Sequence, residues 1–358
     1  MAGKRIAVVG GGIFGCATAS LLASNGFNVD LFEQGEDLMQ VASSINQYRL
    51  HHGYHYPRSI ETALACLKGL RSFKREFSSA IVECNRGHYY GIAKRDSLVS
   101  GAQYKDFMKA TGLPFEEVQL DVLREENLDL QIRANEALFD PRIVKQISID
   151  RLRKFGVVVH LGVRKTLEEL DAFDFIINAT YRNYNEITPP ETRIDLQFEL
   201  CEKPVIRLGN DFAERSIVIM DGPFMCFDPL PGTDYHVAGN VVHAIHNASV
   251  GIYPEIPKEY KAIVDRGIIL KERLKISAFD EFIESAERFF RFVHPITHIG
   301  SMFTVRTVLP FSDYDDSRPT LVSMPSDRIL NIFSGKICTC VEAAEQATGM
   351  IVRKLVEG

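Results

Sequence analysis

The run Lys4-Arg5-Ile6-Ala7-Val8-Val9-Gly10-Gly11-Gly12-Ile13-Phe14-Gly15 constrains the fold of this chain more than any other stretch. A β-branched segment precedes the glycines. Ile13, Ala17, Leu21 and Leu22 follow at close to helical spacing before Gly26, so the segment reads as buried parallel strand, tight turn and helix. That context gives a G-x-G-x-x-G its meaning as a dinucleotide fingerprint. Gly10 permits the turn, Gly12 lets backbone approach a pyrophosphate, and Gly15 allows close helix packing. The N–H groups of Ile13 and Phe14, at the helix N-terminus, face the phosphates. A second apolar strand, Asn28-Val29-Asp30-Leu31-Phe32, ends in Glu33 and Gln34. Glu33 lies about 18 residues past Gly15, where the fingerprint places an acid for a ribose hydroxyl; its charge disfavours a 2′-phosphorylated dinucleotide.

With 358 residues the chain has room for two cores, or for a nucleotide domain interrupted by a second domain. A net charge of -6 gives no basic footprint for nucleic acid or an anionic membrane surface, so a small molecule is the expected partner. The first apolar stretch is broken by glycines, which argues against a signal peptide or a membrane span and for a cytoplasmic protein. The 7 cysteines are odd in number and scattered, consistent with a reducing compartment. Cys338-Thr339-Cys340 lacks the C-x-x-C spacing of a redox motif and suits buried thiols as well as a redox pair. His243-x-x-His246 has no obvious third ligand nearby, so no metal is expected.

Helices are predicted over residues 13–25, 61–80, 103–112, 141–154 and 277–292, with a final one after Gly335. Strands are predicted over 157–161 and 173–180, and within 81–93. From about 195 to 310 the pattern becomes short alternating strands between Pro-Gly and Asp-Gly turns, namely 196–200, 204–208, 216–220 and 235–238, as in an antiparallel sheet. The chain then returns to nucleotide-domain grammar with Ile329-Leu330-Asn331-Ile332-Phe333 and a helix whose stripe is Val341, Ala344, Thr348, Ile351 and Leu355.

Gly10-x-Gly12-x-x-Gly15, the mid-chain strand end Asn178-Ala179-Thr180 and the closing strand–Gly335–helix together resemble the FAD-dependent D-amino-acid oxidase superfamily. That superfamily includes glycine and sarcosine oxidases, glycerol-3-phosphate dehydrogenase and L-2-hydroxyglutarate oxidase. The resemblance spans nearly the whole chain and implies an α/β fold: a Rossmann-type FAD-binding domain with an interleaved α+β substrate domain built on an antiparallel sheet. The implied division is 1–80, 140–190 and 311–358 for FAD, and 81–139 and 191–310 for substrate. Phe139-Asp140-Pro141 is similar to the return into the FAD domain. The stretch from Ser43 to Pro57 looks like the segment that runs beneath the flavin in hydroxyglutarate-oxidase and glycerophosphate-dehydrogenase relatives, which brings Ser43, Ser44, Asn46, Arg49, Leu50 and His51 to the cofactor. Gly335-Lys336-Ile337-Cys338-Thr339 resembles a terminal Gly-Lys-x-x-Thr, adding Gly335, Lys336, Ile337 and Thr339; Ala179 and Thr180 complete the set. Tyr181 stands where many relatives have Gly.

A flavin gathers negative charge at its N1 edge on reduction, so a donor-rich helix start there stabilises the reduced state. N–H groups from Ile337 to Cys340, with Lys336 as a cation, suit that role; Lys336 as a solvated charge is the alternative. His51, His52 and His55 form the densest histidine cluster. Covalent flavin attachment, a proton-transfer role and a structural role all suit them, and noncovalent FAD is expected. Strand alternation would put His51 and His55 on one face and His52, Tyr54 and Tyr56 on the other. By the same resemblance Arg306 matches the arginine that clamps a substrate carboxylate, a task fitted to its planar fork; a salt bridge to Asp313 or Asp315 is the structural alternative. Tyr54 and Tyr253 are further substrate-site residues, and Tyr235 a weaker one. The expected chemistry is removal of hydride from a C–N or C–OH carbon of a small, polar, carboxylate-bearing metabolite. An NAD-dependent dehydrogenase and a non-catalytic dinucleotide sensor share the first 35 or so residues of the argument. The former leaves the Gly335-Lys336 turn without a role, and the latter leaves His51 and Arg306 without one.

Overall fold

The computed structural model describes residues 3–222, 225–310 and 319–357. Strand β1 (Arg5–Val9) is buried from Ile6 onward and feeds helix α1 (Ile13–Ser24), which returns to the parallel strand β2 (Asn28–Phe32). Parallel pairing places Ile6 opposite Val29 on one side and opposite Phe175 on the other. A six-stranded sheet results, in the order Leu321–Ser323, Ile329–Phe333, Phe175–Asn178, β1, β2, Val158–His160, with the Leu321–Ser323 edge antiparallel. Its strands come from three separated stretches of chain. α1 packs against the helices Pro141–Lys154 and Cys340–Glu357 as well as on the sheet. This explains why its buried set is Ile13, Gly15, Cys16, Thr18, Ala19, Ser20 and Leu22, while Ala17 and Leu21, expected on the stripe, are only half-buried: a helix covered on several sides needs no single apolar face. The helix Pro141–Lys154 begins as read, with Pro141 in its first turn and the Asp140 carboxylate accepting the Arg142 N–H at 2.9 Å.

The second layer is a ten-stranded sheet. Here several expectations change. The short strands predicted at 196–200 and 204–208 are one 12-residue strand, Leu196–Arg207. It pairs along its length with Thr297–Val308, from Gln197 opposite Val308 to Arg207 opposite Thr297, and the long partner carries Pro204 through. The sheet is not wholly antiparallel, since Ser216–Met220 runs parallel to His88–Ala93. The helix predicted at 277–292 spans only Phe279–Glu287. Beyond it the backbone bonds sideways, with Arg124 N–H donating to Phe289 C=O (2.8 Å) and Arg291 N–H donating to Val122 C=O (2.8 Å), which buries Phe289 and Phe290 in the core. A small three-stranded sheet, Arg49–Leu50, Ala137–Phe139 and Ile81–Val82, pins the 43–57 segment between the two large sheets.

Candidate active site

A cleft of about 460 Å³ opens at the C-terminal ends of the parallel strands, at the point where β1 has a neighbour on each side. Val9, Gly10, Phe32, Glu33, Ala179, Thr180, Ile332 and Gly335 through Ile337 form one wall. The ten-stranded sheet supplies the other through Cys201, Lys203, Cys226, Asn240, Thr304 and Arg306.

The three fingerprint glycines divide their work. Gly10 holds φ +108, and a Cβ there would lie 2.4 Å from the Ala179 carbonyl oxygen; a Cβ on Gly15 would lie 1.8 Å from the Gly10 oxygen. Both are demanded by the turn itself. Gly12 has an ordinary φ of -72, and its Cβ would meet nothing nearer than Ser43 Oγ at 3.3 Å. Because Gly12 lines the cleft, its missing side chain serves whatever lies in the cradle. Ile13 and Phe14 line the same space, and Ser43 Oγ accepts the Ile13 N–H at 3.1 Å. Glu33 faces the cleft beside Gln34, while its carboxylate also accepts the N–H groups of Gly11 and Gly35, each at 2.7 Å, so it fastens two turns together.

Along the 43–57 segment, Ser43, Asn46, Arg49, His51 and His55 line the cleft. Ser44 instead donates to the Met39 carbonyl, and Leu50 is fully buried in the core. His52 and Tyr54 are also buried away from the cleft, with the Tyr54 hydroxyl bound to the Pro114 carbonyl. The expected split of the histidines thus occurs through a series of turns that follow the two-residue strand Arg49–Leu50. Lys336 Nζ sits 4.4 Å from the centre of the Tyr56 ring, a cation–π contact. The C-terminal helix does not start at Ile337 as predicted. A 3₁₀ turn, Ile337–Thr339, precedes it; the Thr339 N–H donates to Lys336 C=O at 3.0 Å, and the Thr339 hydroxyl sits on the same carbonyl, off the cleft.

Arg306 lines the cleft, but its guanidinium bonds Glu199, its register partner on the neighbouring strand, rather than meeting the cleft unpaired. Asp313 and Asp315, the partners considered from sequence, and the Asp315–Arg318 part of the reentry segment lie outside the described residues. Although burial works in the opposite direction, the bonded Glu199 carboxylate favours the charged Arg306 guanidinium, which stays firmly protonated. Tyr253 is 47% exposed and lies against Arg193, and Tyr235 lies against Arg207; neither lines the cleft. Cys338 and Cys340 are buried, and burial raises the Cys340 thiol, as for packing residues.

Sequence reasoning missed the ionic cluster beneath His51. Arg49 is buried and donates to Asp228 (2.7 Å), to Glu136 (2.9 Å), to the Tyr90 hydroxyl (2.8 Å) and to Ser216. Glu136 lies between the strands Leu128–Ala134 and Ala137–Phe139, and Asp228 lies on Met225–Pro229; no motif marks either. Burial lowers the pKa of His51 and lowers that of His55 further; His51, Arg49 and Lys336 add to the effect on His55. Burial alone would raise the Glu136 carboxyl, but Arg49, bonded to it at 2.9 Å, keeps it well below the usual range. Tyr181, in the position noted for Gly in relatives, does adopt a left-handed backbone, with φ 57. Its hydroxyl oxygen accepts the Thr307 N–H at 2.9 Å, bridging from the strand end of one sheet to the other.

The family model described as FAD dependent oxidoreductase matches residues 5–180. The chain is 27% identical over 369 residues to the FAD-dependent monooxygenase FPY4 of Fusarium mangiferae, covering 97% of this chain and 90% of that protein. It is 24% identical over 389 residues to the FAD-dependent monooxygenase kojA of Aspergillus flavus, covering 97% and 85%. Glycine oxidase from Geobacillus kaustophilus superposes with a TM-score of 0.70 at 14% identity, over 99% of this chain and 95% of that one. The L-α-glycerophosphate oxidase of Mycoplasma pneumoniae, solved with FAD bound, gives 0.70 at 13% identity over 98% and 94%. Among the described residues no helix is long and apolar enough to cross a membrane.

Proposed function

We propose that this chain, whose residues 5–180 match the family model described as FAD dependent oxidoreductase, removes hydride from a carbon bearing a hydroxyl or an amine in a small polar metabolite. The observation that carries this reading is the joining, in one cleft, of the Gly10–Gly15 cradle to His51, which is backed by Glu136 at 3.7 Å. When bound, FAD supplies the hydride acceptor.

The residues present fit that cofactor. Gly12 leaves room that a Cβ would fill, the N-terminus of α1 opens on the cleft where a pyrophosphate would lie, its Ile13 N–H being held by Ser43, and Glu33, which lines the cleft, would meet the ribose. The segment Ser43–His51 would lie along the flavin, noncovalently, with Gly335, Lys336 and Ile337 at its electron-rich edge. In this reading the stretches 1–80, 140–190 and 311–358 hold FAD, and 81–139 with 191–310 shape the substrate side.

His51, kept neutral by burial, accepts the hydroxyl or ammonium proton as the C–H bond is broken. His52, buried off the cleft, is left with a structural part. Because Glu199 already balances Arg306, the carboxylate of a substrate is met by Arg306 together with Lys203 on the same wall. The test is an anaerobic screen of amino acids, N-methyl amino acids, 2-hydroxy acids and phosphorylated polyols against the flavin-loaded protein. A member of these classes should bleach the visible flavin band, and replacing its reacting C–H by C–D should slow the bleaching. A flavin that none of them reduces would refute the proposal.

A further inference from the structure

We propose that Glu136 is the positioning residue of this reaction: a buried carboxylate that fixes the orientation of His51 and stabilises the proton His51 takes up. The inference rests on the reading of His51 as proton acceptor given above.

The Glu136 side chain has 0% exposure and is held at both oxygens. Oε2 accepts from Arg49 at 2.9 Å and from the Tyr90 hydroxyl at 2.7 Å; Oε1 accepts the His52 N–H at 3.2 Å. A carboxylate so fixed cannot turn away. Its Oε1 stands 3.7 Å from His51 Nδ1, a buried nitrogen that has no hydrogen-bond partner among the described residues. That separation is ion-pair distance, and a small ring movement closes it to a hydrogen bond, as occurs when catalytic contacts tighten around substrate. A proton on Nδ1 directed at Glu136 leaves Nε2 as the basic nitrogen of the ring.

Charge balance points the same way. Arg49 is the guanidinium shared by two buried carboxylates, Glu136 and Asp228. The hydroxyls of Tyr90 and Ser216 donate into those carboxylates without contributing charge. The cluster therefore carries one surplus negative charge next to His51, and an imidazolium at His51 neutralises it. Among the groups that act on His51, Glu136 favours the charged ring, whereas Lys336 and Arg49 oppose it; His55 packs against it with ring centres 5.2 Å apart. The step balances as follows. The substrate O–H or N–H bond breaks and its proton passes to Nε2; the C–H electron pair leaves with its hydrogen for the bound flavin, and a C=O or C=N bond forms.

The experiment is histidine-selective ¹⁵N NMR on the holoenzyme, with His51→Gln identifying the His51 signals, combined with anaerobic rapid mixing to follow flavin reduction across pH. In the unmodified protein at neutral pH, His51 should carry its proton on Nδ1; an Nε2-protonated ring overturns the proposal. Glu136→Gln should lower the His51 pKa by about one unit or more, as loss of a carboxylate at this distance does. It should slow flavin reduction about tenfold or more while FAD is retained. An unchanged His51 pKa in folded Glu136→Gln protein also overturns it. If His51→Gln itself leaves flavin reduction unchanged, His51 is not the proton acceptor, and that failure is separate from the tautomer result.

Discussion

Replacing His88 by phenylalanine should make the stability of this protein markedly less sensitive to acid. His88 lies on the strand His88–Ala93, is 3% exposed, and has no hydrogen-bond partner at either ring nitrogen among the described residues. Burial, and then the nearby Arg49, lower its pKa from 6.5 to about 4. A histidine with a depressed folded-state pKa binds fewer protons folded than unfolded. Its neutral form therefore contributes fully above pH 6.5, and that contribution is lost as pH falls from 6.5 through 4. At 1.36 kcal/mol per unit the full loss is about 3 kcal/mol, of which about 2 kcal/mol has gone by pH 5. The assay is urea unfolding of both proteins at pH 7.5 and pH 5. The other histidines with lowered pKa, His51, His52, His55, His236 and His298, contribute equally to both proteins and cancel. The drop between the two pH values should be about 2 kcal/mol smaller in His88→Phe. An equal drop in both would refute the argument that an uncompensated buried imidazole is the source.

The remaining predictions concern the cradle and the ion pairs. Gly12→Ala should lose FAD on gel filtration while its apoprotein unfolds at the same thermal midpoint as the unmodified apoprotein, whereas Gly15→Ala, whose Cβ would sit 1.8 Å from the Gly10 oxygen, should yield little folded protein by circular dichroism. Arg49→Met should cost about 3–5 kcal/mol in denaturant unfolding, because Glu136 and Asp228 are left buried without their cation; a loss below about 1 kcal/mol would mean the cluster is solvated. Arg306→Leu should lower stability as well as raise KM, since Glu199 is 1% exposed. Adding Glu199→Leu should restore the stability and leave KM raised, separating the two roles of Arg306; a KM that also recovers would remove Arg306 from substrate binding.

The nucleotide side was legible because its demands are local. A turn that needs Gly10, a close packing that needs Gly15 and a strand end that presents Glu33 all leave marks a few residues apart, and β2, Pro141–Lys154 and Ile329–Phe333 fall where the pattern put them. The ionic cluster around Arg49 was harder to read because its contacts are distant in sequence. Glu136 reaches Arg49 across 87 positions and Asp228 reaches it across 179, so neither carboxylate can be recognised until the sheets are assembled. Arg306 shows the same limit from the other direction. Its residue type suits a carboxylate clamp, but its partner Glu199 is set by strand register, which alternation alone left as two short strands. Tyr181 takes a left-handed backbone that glycine adopts more readily, and only the Thr307 contact explains what the side chain does there.

The central claim, hydride removal, separates from oxygen insertion in one labelling measurement. The flavin-loaded protein is turned over under ¹⁸O₂ with an electron-accepting dye present, using whichever substrate bleaches the flavin, and the organic product is weighed by mass spectrometry. Dehydrogenation of a C–OH or C–N carbon predicts a carbonyl or imine-derived product that carries no oxygen from ¹⁸O₂. One ¹⁸O atom per product molecule would contradict the account and would place this protein with the chemistry for which its fungal relatives FPY4 and kojA are named.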